Sequence, residues 1–153
     1  MTNTPSSCHE NDVPLTGLSV ALLPEILVHL QDLSEKLKKG PVFAQEIISL
    51  RGLPMTREDI EDLDKHLGRG EVNAKVEVAG NSDVWETSYS GVWRVRHFGT
   101  DERILVDDIV IAVIPEILMA HKDDISASVL RMNDAILNLQ NDEIAPNPTK
   151  SLD

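Results

Sequence analysis

Apolar residues along this chain recur first at helical spacing, then at strand spacing, then at helical spacing again. Ile26, Leu30, Leu33 and Leu37 stand four, three and four residues apart, which is one face of a helix. Pro24-Glu25 opens that helix, because proline suits the first turn, where an N–H would be unpaired anyway. Lys36, Lys38 and Lys39 favour its C-terminal end, and Gly40-Pro41 stops it. Glu46 to Leu50 is short and β-branched and reads as a strand. Thr56, with Asp59 three residues on, predicts a capped helix whose stripe is Ile60, Leu63 and Leu67 and which Gly68 and Gly70 close.

From Glu71 the period becomes two. Val72, Ala74, Val76 and Val78 point one way, and Glu71, Asn73, Lys75 and Glu77 point the other, giving a strand with one dry face. Gly80 to Asp83 is turn chemistry. Val84 to Phe98 is too long for one ordinary strand, and a break or bulge is expected at Ser88 to Gly91. Ile104 to Ile114 is the last strand. Helical spacing returns after Pro115-Glu116: Ile125, Val129, Met132, Ile136 and Leu139 form a stripe that Leu130 and Leu137 widen. Whether Pro115 to Gln140 is one helix, or two joined near His121-Lys122, stays open at this level. Pro24-Glu25-Ile26-Leu27 and Pro115-Glu116-Ile117-Leu118 read as one good helix opening used twice. The expected fold class is α+β, an antiparallel β-meander of about three to five strands packed against N- and C-terminal helices. Polar residues 1–16 are expected to be a mobile arm, 17–140 a single domain, and 141–153, with Pro146 and Pro148, a flexible tail.

Charge changes this picture by exclusion. Fourteen basic residues against 26 acidic ones give a net charge of −12. That argues against coating nucleic acid or docking on an anionic membrane. The start of the chain has no apolar signal region, and no apolar run is long enough to span a membrane, so the expected location is cytoplasmic. An apolar fraction of 41 % is too high for an acidic disordered chain.

Catalytic and metal motifs are sparse. Cys8 is the single cysteine, so one chain cannot form an internal disulfide or hold an iron–sulfur cluster. The Cys8-His9 pair offers two adjacent ligands on an arm expected to move, a poor metal site. The sequence has no phosphate-binding glycine loop and no serine elbow. No metal or cofactor is therefore expected.

The densest cluster of unusual residues runs from Trp85 to Phe98 and holds four of the five aromatics. On an unbroken strand Trp85, Thr87, Tyr89 and Trp93 would share one face, and Glu86, Arg94 and Arg96 the other. In one reading the tryptophans fill the core and the charges are solvated. In another the segment is a recognition surface, since Trp, Tyr and Arg anchor interfaces. An enzyme using Glu86 as acid/base and Arg94 as anion clamp is a third reading, without a nucleophile to accompany it.

Five motifs then fall in order: Ile48-Ser49-Leu50-Arg51-Gly52-Leu53-Pro54-Met55-Thr56; Leu67-Gly68-Arg69-Gly70-Glu71-Val72; Glu86-Thr87; Gly91-Val92-Trp93-Arg94-Val95; and Ile114-Pro115-Glu116-Ile117-Leu118. This order and spacing resembles the C-terminal domain of the HupH/HyaF hydrogenase expression/formation family over roughly residues 45 to 121, in a short form like the HupJ/HoxT-type members. Ser90 stands where that family often has proline.

The resemblance implies a non-enzymatic accessory protein or chaperone of [NiFe] uptake hydrogenase maturation, binding the iron–sulfur small-subunit precursor or other maturation proteins. The family motif falls on Gly68, Gly70, Glu71, Glu86, Thr87, Gly91, Trp93 and Arg94; with Trp85, Tyr89 and Arg96 from the recognition-surface reading, the partner-binding candidates are Glu71, Trp85, Glu86, Thr87, Tyr89, Trp93, Arg94 and Arg96, and the structural glycines Gly68, Gly70 and Gly91. A homodimer within a larger maturation complex, touching through the helix that ends near Leu139, is the alternative. The acidic surface would attract a client with a basic export signal.

Overall fold

A computed structural model describes residues 14–77 and 80–145. The chain forms two compact units, Met1–Ile117 and Leu118–Asp153. The boundary falls inside the 17–140 stretch that the sequence reads as one domain.

The first unit carries α1 (Leu18–Leu37), β1 (Glu46–Ser49), α2 (Arg57–Leu67), β2 (Asn73–Glu77), β3 (Asn81–Glu86), β4 (Val92–Phe98) and β5 (Ile104–Ile111), with a 3₁₀ turn at Leu50–Gly52. The strands make one antiparallel sheet in the order β1-β5-β4-β3-β2. β2 to β5 are the expected meander, and β1 adds to its far edge beside β5.

Register decides the faces. Trp85 pairs with Arg94, Arg94 with Ile109, and Ile109 with Ile48, so these four share one face. That face carries the core: Ile48, Val92, Ile109 and Ile111 from the sheet meet Leu22, Ile26 and Leu33 of α1 and Leu63 and Leu67 of α2. Leu63 and Ile109 have no exposure at all. Each such side chain contributes about 1.5–3 kcal/mol of burial.

Three boundaries differ from the periodic reading. Helix α1 begins at Leu18, not at Pro24, because Ser19 and Leu22 extend its buried face by a further turn and a half. Ser19 donates to Asp62 of α2 at 2.6 Å. Pro24 therefore sits inside the helix. Pro24 and Val20 are both exposed, so the carbonyl deprived of its helical partner lies on the solvent side. Pro115-Glu116 precedes only a 3₁₀ turn, Glu116–Leu118, so the two Pro-Glu pairs are not equivalent. β3 starts at Asn81, inside the stretch Gly80 to Asp83 that reads as a turn, whereas Val84 to Phe98 breaks at Ser88 to Gly91 as expected, into two strands joined by a turn.

The second unit holds α3 (Lys122–Ile144), capped by the His121 imidazole, which accepts from the Asp123 N–H at 3.3 Å. This settles the open question as a short turn followed by one long helix. The helix runs through Asn141 to Ile144, where a tail is expected, and stops before Pro146. No residue of α3 is buried.

The capping box at Thr56 and Asp59 forms as its spacing predicts: Asp59 N–H donates to the Thr56 hydroxyl at 3.1 Å, and the Asp59 carboxylate accepts from Thr56 N–H at 3.0 Å. The same carboxylate accepts from the Thr16 N–H and hydroxyl at 2.8 and 2.6 Å. Thr16, at the end of the expected arm, is thus tied to α2; residues 1–13 lie outside the described residues.

Burial alone would raise the Asp59 pKa, but the hydrogen bonds from Thr16 and Thr56 outweigh it and lower the carboxyl from 3.8 to about 2. Between those values the unfolded chain binds more protons than the folded one, so this stabilisation is present above about pH 4 and fades as pH falls toward about 2. In urea titrations across that window, Asp59→Asn is expected to be less stable than wild type at pH 5. The gap should narrow steadily toward pH 2; a gap independent of pH would contradict the assignment. Thr56→Ala removes one cap bond and should cost about 0.5–2 kcal/mol.

Candidate functional site

The Trp85–Arg96 segment folds back on itself as the β3–β4 hairpin, and its turn is held from three sides. The Thr87 hydroxyl donates to the Val92 carbonyl at 2.8 Å and accepts from Tyr89 N–H at 3.2 Å, closing the turn from within. The stretch leaving α2 lies against its first limb: Ser88 N–H donates to the Leu67 carbonyl at 2.9 Å, Gly70 N–H to the Glu86 carbonyl at 2.8 Å, and Glu86 N–H to the Val72 carbonyl at 3.0 Å. On the other limb, Ala112 N–H donates to the Gly91 carbonyl at 3.0 Å, and the Trp93 indole N–H to the Ala112 carbonyl at 3.1 Å.

The motif glycines are what allow this approach. A Cβ on Gly70 would stand 2.6 Å from the Thr87 carbonyl oxygen, a backbone atom that cannot step aside. Gly91 has φ +88°, and a Cβ there would press on Leu30 of α1 at 3.2 Å. Gly68 is the C-cap of α2 and packs beside Ser88.

The buried charges lie deeper. Arg94 has no exposure; it is paired with Asp107 of β5 and stands 3.1 Å from Asp64 of α2. Arg96 pairs with the same two carboxylates, at 3.1 Å to Asp64 and 3.3 Å to Asp107. Two cations and two anions balance within one cluster. Burial lowers the Arg94 pKa from its ordinary value, and the attraction of Asp107 and Asp64 opposes that shift. The guanidinium carbons of Arg69, Arg96 and Arg94 lie 4.6, 5.1 and 5.7 Å from the Trp85 ring centre, adding cation–π attraction.

This arrangement sorts the sequence candidates. Trp85, Thr87, Trp93 and Arg94 are buried and build the hairpin and its support. The expected shared face does not form: the turn puts Trp85 with Arg94 on the helix side, and Trp93 opposite Glu86 on the other. The charges are not solvated as one reading expected, because alternation carries Arg94 into the core, where only carboxylates make its burial tolerable. Glu86 and Arg94 leave opposite faces, and Arg94 is already paired, so the two do not converge as acid/base and anion clamp. Asp64 and Asp107 are the residues that sequence reading missed. The signal was present: two arginines two residues apart face an acidic pair, Asp107-Asp108, in the next strand.

Tyr89 is 53 % exposed, and Glu71 also faces solvent; Glu86 and Arg96 are half-buried. Tyr89 borders an apolar groove of about 240 Å³ with Leu23, Ile26, Leu27, Leu30 and Val92. A neighbouring hollow of about 450 Å³ shares Leu30 and is walled by Leu37, Glu86, Ser90, Gly91 and Val113. The hairpin turn and α1 thus frame a strip of two adjoining hollows, apolar along the leucines of α1, with His66, Ser34, Glu86 and Ser90 as polar wall residues. Among the described residues no group of His, Cys, Asp and Glu is placed to hold a metal, and no helix is long and apolar enough to cross a membrane.

Residues 18–139 match the family described as HupH hydrogenase expression protein, C-terminal conserved region. The chain belongs to this family. It is 30 % identical over 124 residues to the hydrogenase expression/formation protein HupH of Rhodobacter capsulatus, which covers 81 % of this chain and 44 % of that protein. It is 26 % identical over 113 residues to the hydrogenase-1 operon protein HyaF of Escherichia coli, covering 71 % and 39 %. The chain therefore spans less than half the length of these curated relatives. The solved structure of the hydrogenase expression protein HupH from Thiobacillus denitrificans superposes with a TM-score of 0.69 at 33 % identity, over 79 % of this chain and 99 % of that one. The HupH resemblance read from the motifs and the α+β fold with its antiparallel sheet are both borne out.

Gly70→Ala is expected to force the α2–β2 connection off the hairpin and lower stability by about 1–3 kcal/mol; an unchanged melting temperature would contradict the close approach. Trp93→Ala should cost about 3–5 kcal/mol as a core truncation. Arg94→Met should cost up to about 3–5 kcal/mol, by leaving the buried Asp107 with Arg96 as its one remaining partner.

Proposed function

We propose that this HupH-family protein is an accessory factor of hydrogenase maturation that acts by binding a protein client and not by catalysis, and that the client is the iron–sulfur small-subunit precursor. One observation carries the reading. Three of the five family motifs, Leu67–Val72, Glu86-Thr87 and Gly91–Val95, converge on a single hairpin turn, and that turn borders the strip of hollows along α1. Buried Trp85, Thr87, Trp93 and Arg94 set the shape of the turn, and exposed Tyr89 meets the client. Glu71 and the half-buried Glu86 and Arg96 contribute the polar rim.

The net charge of −12 supports a client that carries a basic segment. Long-range attraction of this kind speeds encounter and weakens as salt rises. The apolar strip then supplies the contact that persists.

The test is co-purification of the tagged protein with the small-subunit precursor from a hydrogenase-expressing host. Association is expected at low salt and should weaken at high salt. Leu27→Glu and Tyr89→Ala alter exposed positions, so they should keep the wild-type melting temperature while binding falls about tenfold or more, a loss of about 1.4 kcal/mol or more. No association of the wild-type protein with the precursor at low salt would overturn the reading.

A further inference from the structure

The two hollows beside the hairpin turn follow α1 from Leu23 to Leu37. Fourteen helical steps, at about 1.5 Å each, make that path about 21 Å long. Its borders decide which backbone conformation can fill it. The free edges of the sheet are β1 and β2, and no residue of either strand lines the hollows. The turn backbone at their border is already bonded within the protein: Thr87 N–H donates to the Val92 carbonyl at 2.9 Å, Val92 N–H to the Tyr89 carbonyl at 3.0 Å, and Ala112 N–H to the Gly91 carbonyl at 3.0 Å. An extended segment laid here would find no strand edge to pair with, and its amides would face leucine side chains unpaired. A helix satisfies its own backbone, and about four turns of it match the path.

Charge gives the occupant a direction. Among the residues that line the two hollows Glu86 is the one carboxylate, and it has no ion pair among the described residues. The charges of α1 beside it neutralise each other, Lys36 with Asp32 and Lys38 with Glu35, both at 2.6 Å. Glu86 and Leu37 wall the same hollow, so a basic side chain is complementary at that end of the path. Resting on the client-binding reading, we infer that the client segment held here is an amphipathic helix of about four turns, its apolar face on the leucines of α1 and a Lys or Arg beside Glu86.

Photo-cross-linking of the full chain, co-expressed with the small-subunit precursor, tests the bound conformation. A benzophenone amino acid replaces Leu27 in one variant and Ser34 in another; both positions are exposed. They lie seven helical steps apart, about 10 Å along α1. A helix alongside is expected to be cross-linked at two precursor positions about seven residues apart, whereas an extended segment would give positions about three apart. Proline midway between the cross-linked positions should cut co-purification about tenfold or more, and proline in the first turn of the same segment should be tolerated. Glu86→Gln should weaken co-purification several-fold, and changing the precursor's basic residue nearest the Ser34 cross-link to Gln should then cost nothing further.

Cross-links about three residues apart, an indifferent central proline, or independent losses from the two charge changes would each overturn the inference while leaving client binding intact. So would a bound precursor that neither position cross-links, or cross-links to another segment of this chain in place of the precursor. No co-purification of the wild-type protein would overturn the proposed function and this inference with it, so the two failures are told apart.

Discussion

The buried Arg94 guanidinium is the constraint on which the rest of this fold is organised. A charge with no access to water is tolerated only where carboxylates meet it, and Asp107 and Asp64 come from different elements. Asp107 fixes the register of β5 against β4, and Asp64 fixes α2 over the sheet. Once α2 is placed, its last turn delivers Leu67 to Val72 alongside the hairpin, where backbone hydrogen bonds take over. The exposed apolar strip exists because this chain of placements ends at Tyr89 and Gly91, next to α1. An ion pair of this kind adds little net stability, since desolvation offsets its attraction. Its contribution is to make alternative packings of α2 costly.

Local chemistry made much of this legible in the sequence. The Thr56–Asp59 cap, the stripe of α2, the alternation of β2 and the period of α3 each depend on neighbours within a turn or a pleat. What escaped depended on distant partners. Arg94 is polar by composition and interior by register, and only the pairing of β4 with β5 brings Asp107 to it. The early start of α1 escaped because Pro24 is usually a boundary; Ser19 and Leu22 override that preference by packing on α2. Gly68, Gly70 and Gly91 were visible as a pattern, whereas the backbone approach that requires glycine at Gly70 belongs to the tertiary fold.

The two apolar surfaces differ in kind. The strip beside the hairpin is concave and framed by backbone fixed on three sides, the form expected of a preformed recognition groove. The α3 face is a regular ridge with a helical period, exposed along its length. In the HupH family this chain represents the C-terminal region, and the matched stretch closes at residue 139, the last apolar position of that ridge. Both surfaces therefore lie inside the region that defines the family.

The place of β1 has a kinetic consequence. Strands β2 to β5 follow one another through short turns, so each pairing closes a small loop. β1 precedes them in sequence yet pairs with β5, joining Glu46 to Ile111 across nearly the whole meander. Loop-closure entropy makes such a pairing late. The hairpin and its neighbours can assemble as a nucleus, and β1, bringing α1 with it, closes the sheet afterwards. The apolar strip beside Tyr89 would then be completed in the final folding step, so a partly folded chain could hold the hairpin without yet having a groove to offer.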